Sequence, residues 1–318
     1  MGANSKSLFF TFQFLFFTFF LFAQKIDDPG LYNDFVVGEQ KKVINKISNY
    51  TLVSVHEEGK DLSAVRKDVL RQLDESINRL KGLSTIKGDH EFKTEAINIF
   101  ELLKESFTKD FTEIDALSKS KDDSFTAMQR LFMAQDKIDT KIQTLGNKFL
   151  DAQNKFARKY KINLKENTDP DPLLGINDIN KYSRQMYLEY FRVYAANADF
   201  LNAMNQQQTV DIANKRKEVI NSATLALNNI SNTPKHKGDL VYKEKTYQLV
   251  VFHKNLASKE YLELEKIILK KEKMVDQDVE SFNAIINKMN NDTQAKLDEF
   301  TSAQRDFLKR NIPKSALN

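Results

Sequence analysis

The sequence predicts an all-α fold, built as two tandem four-helix units of bundle or coiled-coil type joined by a proline-containing linker. Three observations carry that prediction. Glycine and proline are scarce, at 9 and 5 in 318 residues, so long uninterrupted elements are favoured over short turn-linked strands. Apolar residues recur at steps of three and four over long stretches, the spacing of amphipathic helices. Short blocks of sequence also return in the same order about 150 residues further on, which points to internal duplication.

The first element is set apart from the rest. Lys6 supplies a short positive region, Leu8 to Phe22 form an apolar run rich in phenylalanine, and Phe22-Ala23-Gln24 offers a small residue for cleavage before Lys25-Ile26-Asp27-Asp28. That layout predicts a secretory signal over 1–23. The apolar run is shorter than the ~20 residues needed to span a bilayer, which argues against an uncleaved anchor. Leu21 departs from the small-x-small cleavage pattern, and Lys6 stands where a myristoylation motif wants Ser or Thr. Cysteine is absent, so stability rests on packing without disulfides, and a lipoprotein anchor is excluded.

Residues 24–163 then read as the first unit and 178–312 as the second, with 164–177 as linker and 313–318 as a tail. Arg66-Lys67-Asp68-Val69 returns as Arg216-Lys217-Glu218-Val219, and Lys87-Gly88-Asp89 as Lys237-Gly238-Asp239. Phe92 corresponds to Tyr242, Phe111 to Tyr261 and Phe132 to Phe282; after a one-residue slip, Phe149, Ala152, Gln153 and Phe156 correspond to Phe300, Ala303, Gln304 and Phe307. Helices are predicted near 31–57, 62–82, 90–119 and 122–162, then 178–206, 209–231, 240–270 and 272–310.

Each helix has its own pattern. In the second, Leu62, Val69, Leu73, Ile77 and Leu80 form a stripe, matched by Ile212, Val219, Ala223, Leu227 and Ile230. The third places Phe92, Ala96, Ile99, Leu103, Phe107, Phe111, Ile114 and Leu117 on one side. The fourth alternates threes and fours from Met128 through Ile138, Ile142, Leu145 and Phe149 to Phe156, near-heptad spacing suited to bundle packing. Its counterpart runs from Val275 through Val279, Phe282, Ile286, Met289 and Phe300 to Phe307; Thr293 and Lys296 interrupt it, predicting looser packing there. Gly88-Asp89 and Gly238-Asp239 read as structural turns, the glycine taking a left-handed conformation beyond a helix end and the aspartate capping the next helix. Asp169-Pro170-Asp171-Pro172 breaks any helix between the units.

The stretch Ile86-Lys87-Gly88-Asp89-His90-Glu91-Phe92-Lys93 and the closing Phe149-Leu150-Asp151-Ala152-Gln153-Asn154-Lys155-Phe156-Ala157 resemble an uncharacterised family of bacterial exported helical surface proteins and lipoproteins. The resemblance covers most of the chain after the leader and rests on a KGD-x-x-F turn and an A-Q-x-x-F helix. It implies a bacterial envelope or surface location and no established activity. The missing lipid-bearing cysteine is a departure from the lipoprotein members.

Chemistry is sparse. Of His56, His90, His236 and His253, none lies three residues after a glutamate, so the paired Glu-x-x-His of carboxylate-bundle metal sites is missing. No His-Glu-x-x-His, phosphate loop or nucleophile elbow occurs. No metal, cofactor or catalytic residue is predicted. His253 replaces Leu103 in the repeat register, on an apolar stripe between Val250 and Ala257. It is the one speculative binding residue, weighed against a plain core histidine. Tyr182, Tyr187, Tyr190, Phe191 and Tyr194 read as core and edge aromatics. A net charge of +4 with mixed signs gives no ground for nucleic-acid binding and limits membrane contact to the periphery. The expected function is therefore non-enzymatic: an exported protein, periplasmic, cell-surface or secreted, that binds an envelope or extracellular protein partner or serves a structural role. A small-ligand-binding or sensory bundle is the alternative, and an enzyme with dispersed residues is the third reading.

Overall fold

The computed structural model describes residues 26–56, 62–118, 124–164, 172–206, 211–270 and 273–311. The expected leader over 1–23, residues 165–171 of the expected linker, the Lys271-Glu272 corner and the tail at 313–318 lie outside them. The fold is all-α. In chain order come α1 (Pro29–His56), α2 (Ser63–Lys81), α3 (Glu91–Glu105), a π-helical segment (Ser106–Asp110), α4 (Phe111–Ser118), α5 (Phe125–Tyr160), α6 (Pro172–Asn205), α7 (Ile212–Asn232), α8 (Val241–Ser258), α9 (Glu260–Leu269) and α10 (Asp276–Asn311). No strand occurs among the described residues, only two isolated bridges, Ile86 with Asp89 and His236 with Asp239.

The linker is shorter than the sequence predicts. Residues 172–177, assigned to it, open α6. Proline has no N–H to lose at the first position of a helix and its fixed φ suits one, so Pro172 starts the helix that Pro170 could not have continued.

In the first half α1 packs on α2, α2 on α3, and α3 and α4 on α5; in the second, α6 packs on α7 and α8, α7 on α8, and α8 and α9 on α10. The halves are joined where α5 lies along α6, and α1 also touches α6 and α10. A single cluster of buried apolar side chains runs through both, from Tyr32 and Val36 to Phe307 and Leu308.

The third helix is broken in both halves for a reason visible in its spacing. Ile99, Leu103, Phe107 and Phe111 are all buried, yet they follow one another by four residues each time. In an ideal α-helix each such step drifts by about 40°, so the stripe would leave the core within a few turns. The π segment Ser106–Asp110 absorbs the excess with its wider turn. Leu249, His253, Ala257 and Tyr261 repeat the same run of fours, and there the helix breaks instead at Lys259 (φ −122°, ψ −78°) between α8 and α9. At each break an arginine from the preceding helix reaches a backbone carbonyl. The Arg66 guanidinium donates to Phe111 O at 3.4 Å and to Asp115 at 2.6 Å; Arg216 donates to Ala257 O at 3.4 Å and to Glu265 at 2.6 Å.

The turns at 86–89 and 236–239 differ from the expected helix caps. Helix α2 has already ended at Lys81, with Gly82 in a right-handed conformation (φ −76°). Gly88 belongs instead to a tight two-residue turn in which Lys87 (φ 50°) and Gly88 (φ 77°) are both at positive φ; Lys237 (φ 46°) and Gly238 (φ 89°) repeat it. That is the type I′ pattern, which demands glycine or a tolerant residue at both centres. The aspartates do act as expected: Asp89 Oδ1 accepts from the Glu91 N–H at 2.9 Å and Asp239 Oδ1 from the Val241 N–H at 3.0 Å.

The stripe of the last helix is the clearest departure. Val275 precedes α10 and is 60% exposed, Val279 is 49% exposed, and full burial begins only at Met289. Over the corresponding part of α5 lies α6, with Phe132 against Tyr187 (5.7 Å between ring centroids) and Arg192 4.0 Å above the Phe125 ring. Among the described residues α10 has no such cover at Val275 and Val279.

Candidate functional site

His253 sits in the middle of α8 between Leu249–Val250 and Leu256–Ala257, all buried. Its side chain is 3% exposed, and neither ring nitrogen has a hydrogen-bond partner. A buried imidazole without a partner loses its water hydrogen bonds and gains nothing in return. Burial alone pushes its pKa down to about 4, so the ring is neutral at pH 7. In the first half the same place on α3 holds buried Leu103, which requires no partner.

The ring closes one end of an aromatic column. Tyr190 from α6 is 6.3 Å away and packs on Phe300 of α10 at 4.9 Å. Phe300 meets Tyr242 at 5.6 Å, Tyr242 meets Phe307 at 5.6 Å, and Phe307 meets Tyr182 at 5.2 Å. At the other end is His236, 5.4 Å from both Tyr182 and Phe307, with its Nε2 buried and unpartnered. The imidazole's pKa is lowered by burial first and by Lys237 second, against the opposing pull of Asp178 and Asp239. Sequence reasoning passed over His236. The repeat register held the signal, because its counterpart is Ile86, a buried aliphatic residue.

The two turns hold the other singled-out residues. Asp89 also accepts from Lys159 at 2.7 Å and from the Tyr160 hydroxyl at 3.1 Å. Burial by itself would raise its carboxyl, but the bonds from Lys159, the Glu91 N–H and Tyr160 outweigh that and hold it below the ordinary carboxylate value. Asp239 is clamped in the same way to α10, by Arg310 at 2.8 Å. Gly88, Asp89, Gly238 and Asp239 therefore fasten each turn to the last helix of its half, and the structure does not bring them to His253. The A-Q-x-x-F residues fasten first helix to fourth: Gln153 donates to Asn33 at 3.1 Å while Phe156 stacks on Tyr32 at 5.5 Å, and Gln304 donates to Ser183 at 3.4 Å while Phe307 meets Tyr182.

No protein-family model, curated protein or solved structure matches this chain. What the site can do is thus read from its own groups.

Those groups are mostly consumed in packing. Glu39 is buried and accepts from the Ser76 hydroxyl at 2.8 Å and from Lys42 at 2.6 Å; Glu189, at the matching place on α6, accepts from Asn229 at 3.1 Å and Arg192 at 3.2 Å. Between the halves, Arg184 on α6 donates to Asp136 at 2.8 Å and Asp139 at 2.6 Å on α5, and Asn180 donates to Asp139 at 3.1 Å. Asp139's carboxyl is raised by its burial, in spite of Arg184. Among the described residues no group of three His, Asp or Glu is placed to hold a metal ion, and no helix is long and apolar enough to cross a membrane. Of the six aromatic residues on α6, Tyr182, Tyr187, Tyr190, Phe191 and Phe200 line the core wholly or partly, while Tyr194 is exposed.

Proposed function

We propose that this chain is a two-copy helical protein exported to the bacterial envelope, and that it works there by binding a protein partner or as a structural component. One observation supports the non-enzymatic reading above others: the buried carboxylates Glu39, Glu189 and Glu265 and the partly buried Asp139 are each held by a hydrogen bond or ion pair from a neighbouring helix. A catalytic carboxylate has to face substrate. His253, with neither ring nitrogen partnered, has apolar and aromatic neighbours, and Tyr190 and Phe252 are its ring contacts. Long helices such as α5 and α10, of 36 residues each, would run about 54 Å at 1.5 Å per residue, and they offer extended faces to a partner.

Duplication of one four-helix unit is part of this proposal. It is supported by contacts that return at the same displacement as the sequence blocks: Arg66–Asp115 with Arg216–Glu265, Tyr32–Phe156 with Tyr182–Phe307, and Lys93 to Leu83 O with Lys243 to Thr233 O. The matched residues keep their partners while exchanging chemistry.

The test uses the full chain expressed in a bacterial host with a photo-crosslinker at position 275 or 279, the exposed corner ahead of α10. Recovery from the envelope or medium, with a start at Gln24 and a discrete protein adduct, is the expected result. A product that keeps residues 1–23 in the cytoplasm ends the export reading. A small metabolite copurifying with the chain in place of a protein adduct shifts the weight to the ligand-binding alternative, which the unpartnered nitrogens of His253 favour.

A further inference from the structure

The two halves differ at the ends of their cores, and the difference has a direction. Where the first half buries Ile86 and Leu103, the second carries His236 and His253. Aliphatic side chains are indifferent to pH, whereas a buried imidazole must either stay neutral or leave the core. We propose that the second half contains an acid-sensitive core, in which protonation of His253, with His236 beside the turn, loosens α8 from α6 and α10 while α3 stays packed in the first half.

The surroundings supply nothing that would receive a charged imidazole at 253. From α6 the ring beside it is Tyr190. The acid on that helix, Glu189, is engaged by Asn229 and Arg192. The residues that α7 buries are all apolar, Val219, Ala223 and Ala226 among them, and its Arg216 is spent on Glu265 of α9. The residues that α10 buries are likewise apolar, Met289 and Phe300 among them, and its Glu299 is held by Lys245 and Lys296. On α8 itself Lys243 donates to Ser231 O and Thr233 O. A proton on His253 thus adds a buried, uncompensated charge. His236 faces a milder setting, with Asp178 and Asp239 nearby and Lys237 opposing them, so it contributes less.

The sign follows from linkage. The imidazole titrates lower in the folded chain than in the unfolded one, so stability is full above pH 6.5 and declines as pH falls toward about 4. At pH 5 the opening equilibrium of the helix that carries it should rise on the order of 30-fold over its value at pH 8.

Hydrogen exchange of the full chain, corrected for intrinsic rates, reads this segment by segment. Amides of α8 should lose protection between pH 7 and pH 5 while those of α3 keep theirs. His253→Leu with His236→Ile, which copies the first half, should abolish the acid response; His90→Gln, at an exposed position, should leave it unchanged. Equal loss in α3 and α8, or a full acid response in the double variant, overturns the proposal. Should the double variant fail to fold, an NMR titration of the native chain decides: a His253 imidazole that titrates near 6.5 without change in its surroundings refutes it.

Discussion

Arg184 is the residue on which the joint between the halves turns. Its side chain is 14% exposed, and the guanidinium reaches from α6 to Asp139 on α5, whose side chain is 17% exposed, and to the more open Asp136. Replacing it with leucine removes the cation and leaves Asp139 among buried groups with one hydrogen bond, from Asn180 at 3.1 Å. Stranding one partner of a buried pair costs roughly 3–5 kcal/mol. The remaining bond and the solvent at Asp136 place Arg184→Leu at the low end, about 3 kcal/mol. The loss should depend on pH. Asp139's carboxyl is already raised above its ordinary 3.8 by burial, and without Arg184 it rises further. Because the folded carboxyl then binds its proton more tightly than the unfolded one, the penalty is full above the folded pKa and fades as pH falls toward 3.8.

Urea unfolding followed by circular dichroism at pH 7 and pH 5 measures both terms. Arg184→Leu should lose about 3 kcal/mol at pH 7 and less at pH 5, and adding Asp139→Asn should return most of the loss. An Arg184→Leu chain within about 1 kcal/mol of the parent at pH 7 would show that solvent reaches Asp139 freely. A loss equal at both pH values, or one that Asp139→Asn leaves unrelieved, would mean that packing rather than charge holds α5 to α6.

Other positions can be tested in the same assay. Gly238→Ala should cost about 1–2 kcal/mol, since its φ of 89° disfavours a side chain although a Cβ there meets no atom within 4 Å; a loss well above that would reveal crowding at the turn. Asp89→Ala removes an N-terminal cap and the Lys159 pair, for a loss of about 1–2 kcal/mol at neutral pH. Because Asp89's carboxyl lies below its ordinary 3.8 in the fold, that difference should shrink below pH 4, and a pH-independent loss would argue against the ion pair. Glu39→Ala leaves the buried Ser76 hydroxyl without its acceptor and should cost about 2 kcal/mol, read as a lower urea midpoint with unchanged slope.

Local periodicity carried most of the fold. Helix positions were legible because single stripes such as Leu73–Ile77–Leu80 repeat at helical spacing, and both ends of α2, the start of α3 and the end of α4 fall within a residue or two of the pattern. The breaks in the third helices were legible in principle, since three successive steps of four demand a wider turn, but periodicity counted at threes and fours together hides that drift. The turn at Lys87-Gly88 was read as a helix end because a glycine before a capping aspartate looks the same whether the previous helix ends beside it or six residues earlier. What the pattern could not hold is partnership across the chain. His253 stood out as polar on an apolar stripe, yet its lack of a partner is a fact of three dimensions, and so is the burial of Asp139 beneath Arg184.

The same joint limits how the architecture can extend. If the halves are copies, α5 receives α6 as the fourth helix of one unit receives the first helix of the next, and α10 and α1 are the corresponding free ends. Those ends lack the chemistry of the joint. Asp136 and Asp139 correspond to Ile286 and Met289, or with the one-residue slip to Asn287 and Asn290, and Arg184 corresponds to Asp34. A second molecule laid head to tail would set Asp34 against residues with no cation, where α5 and α6 have an arginine between two carboxylates. Part of the α1 surface is also taken up within the chain by α6 and α10. The chain should therefore show no head-to-tail association in sedimentation at any concentration where it stays soluble. Charge reversal at Asp34 with acids at 287 and 290 should be needed before any such contact forms. A filament of the parent chain whose crosslinks join α10 of one copy to α1 of the next would refute the repeat logic as well as the role given to Arg184.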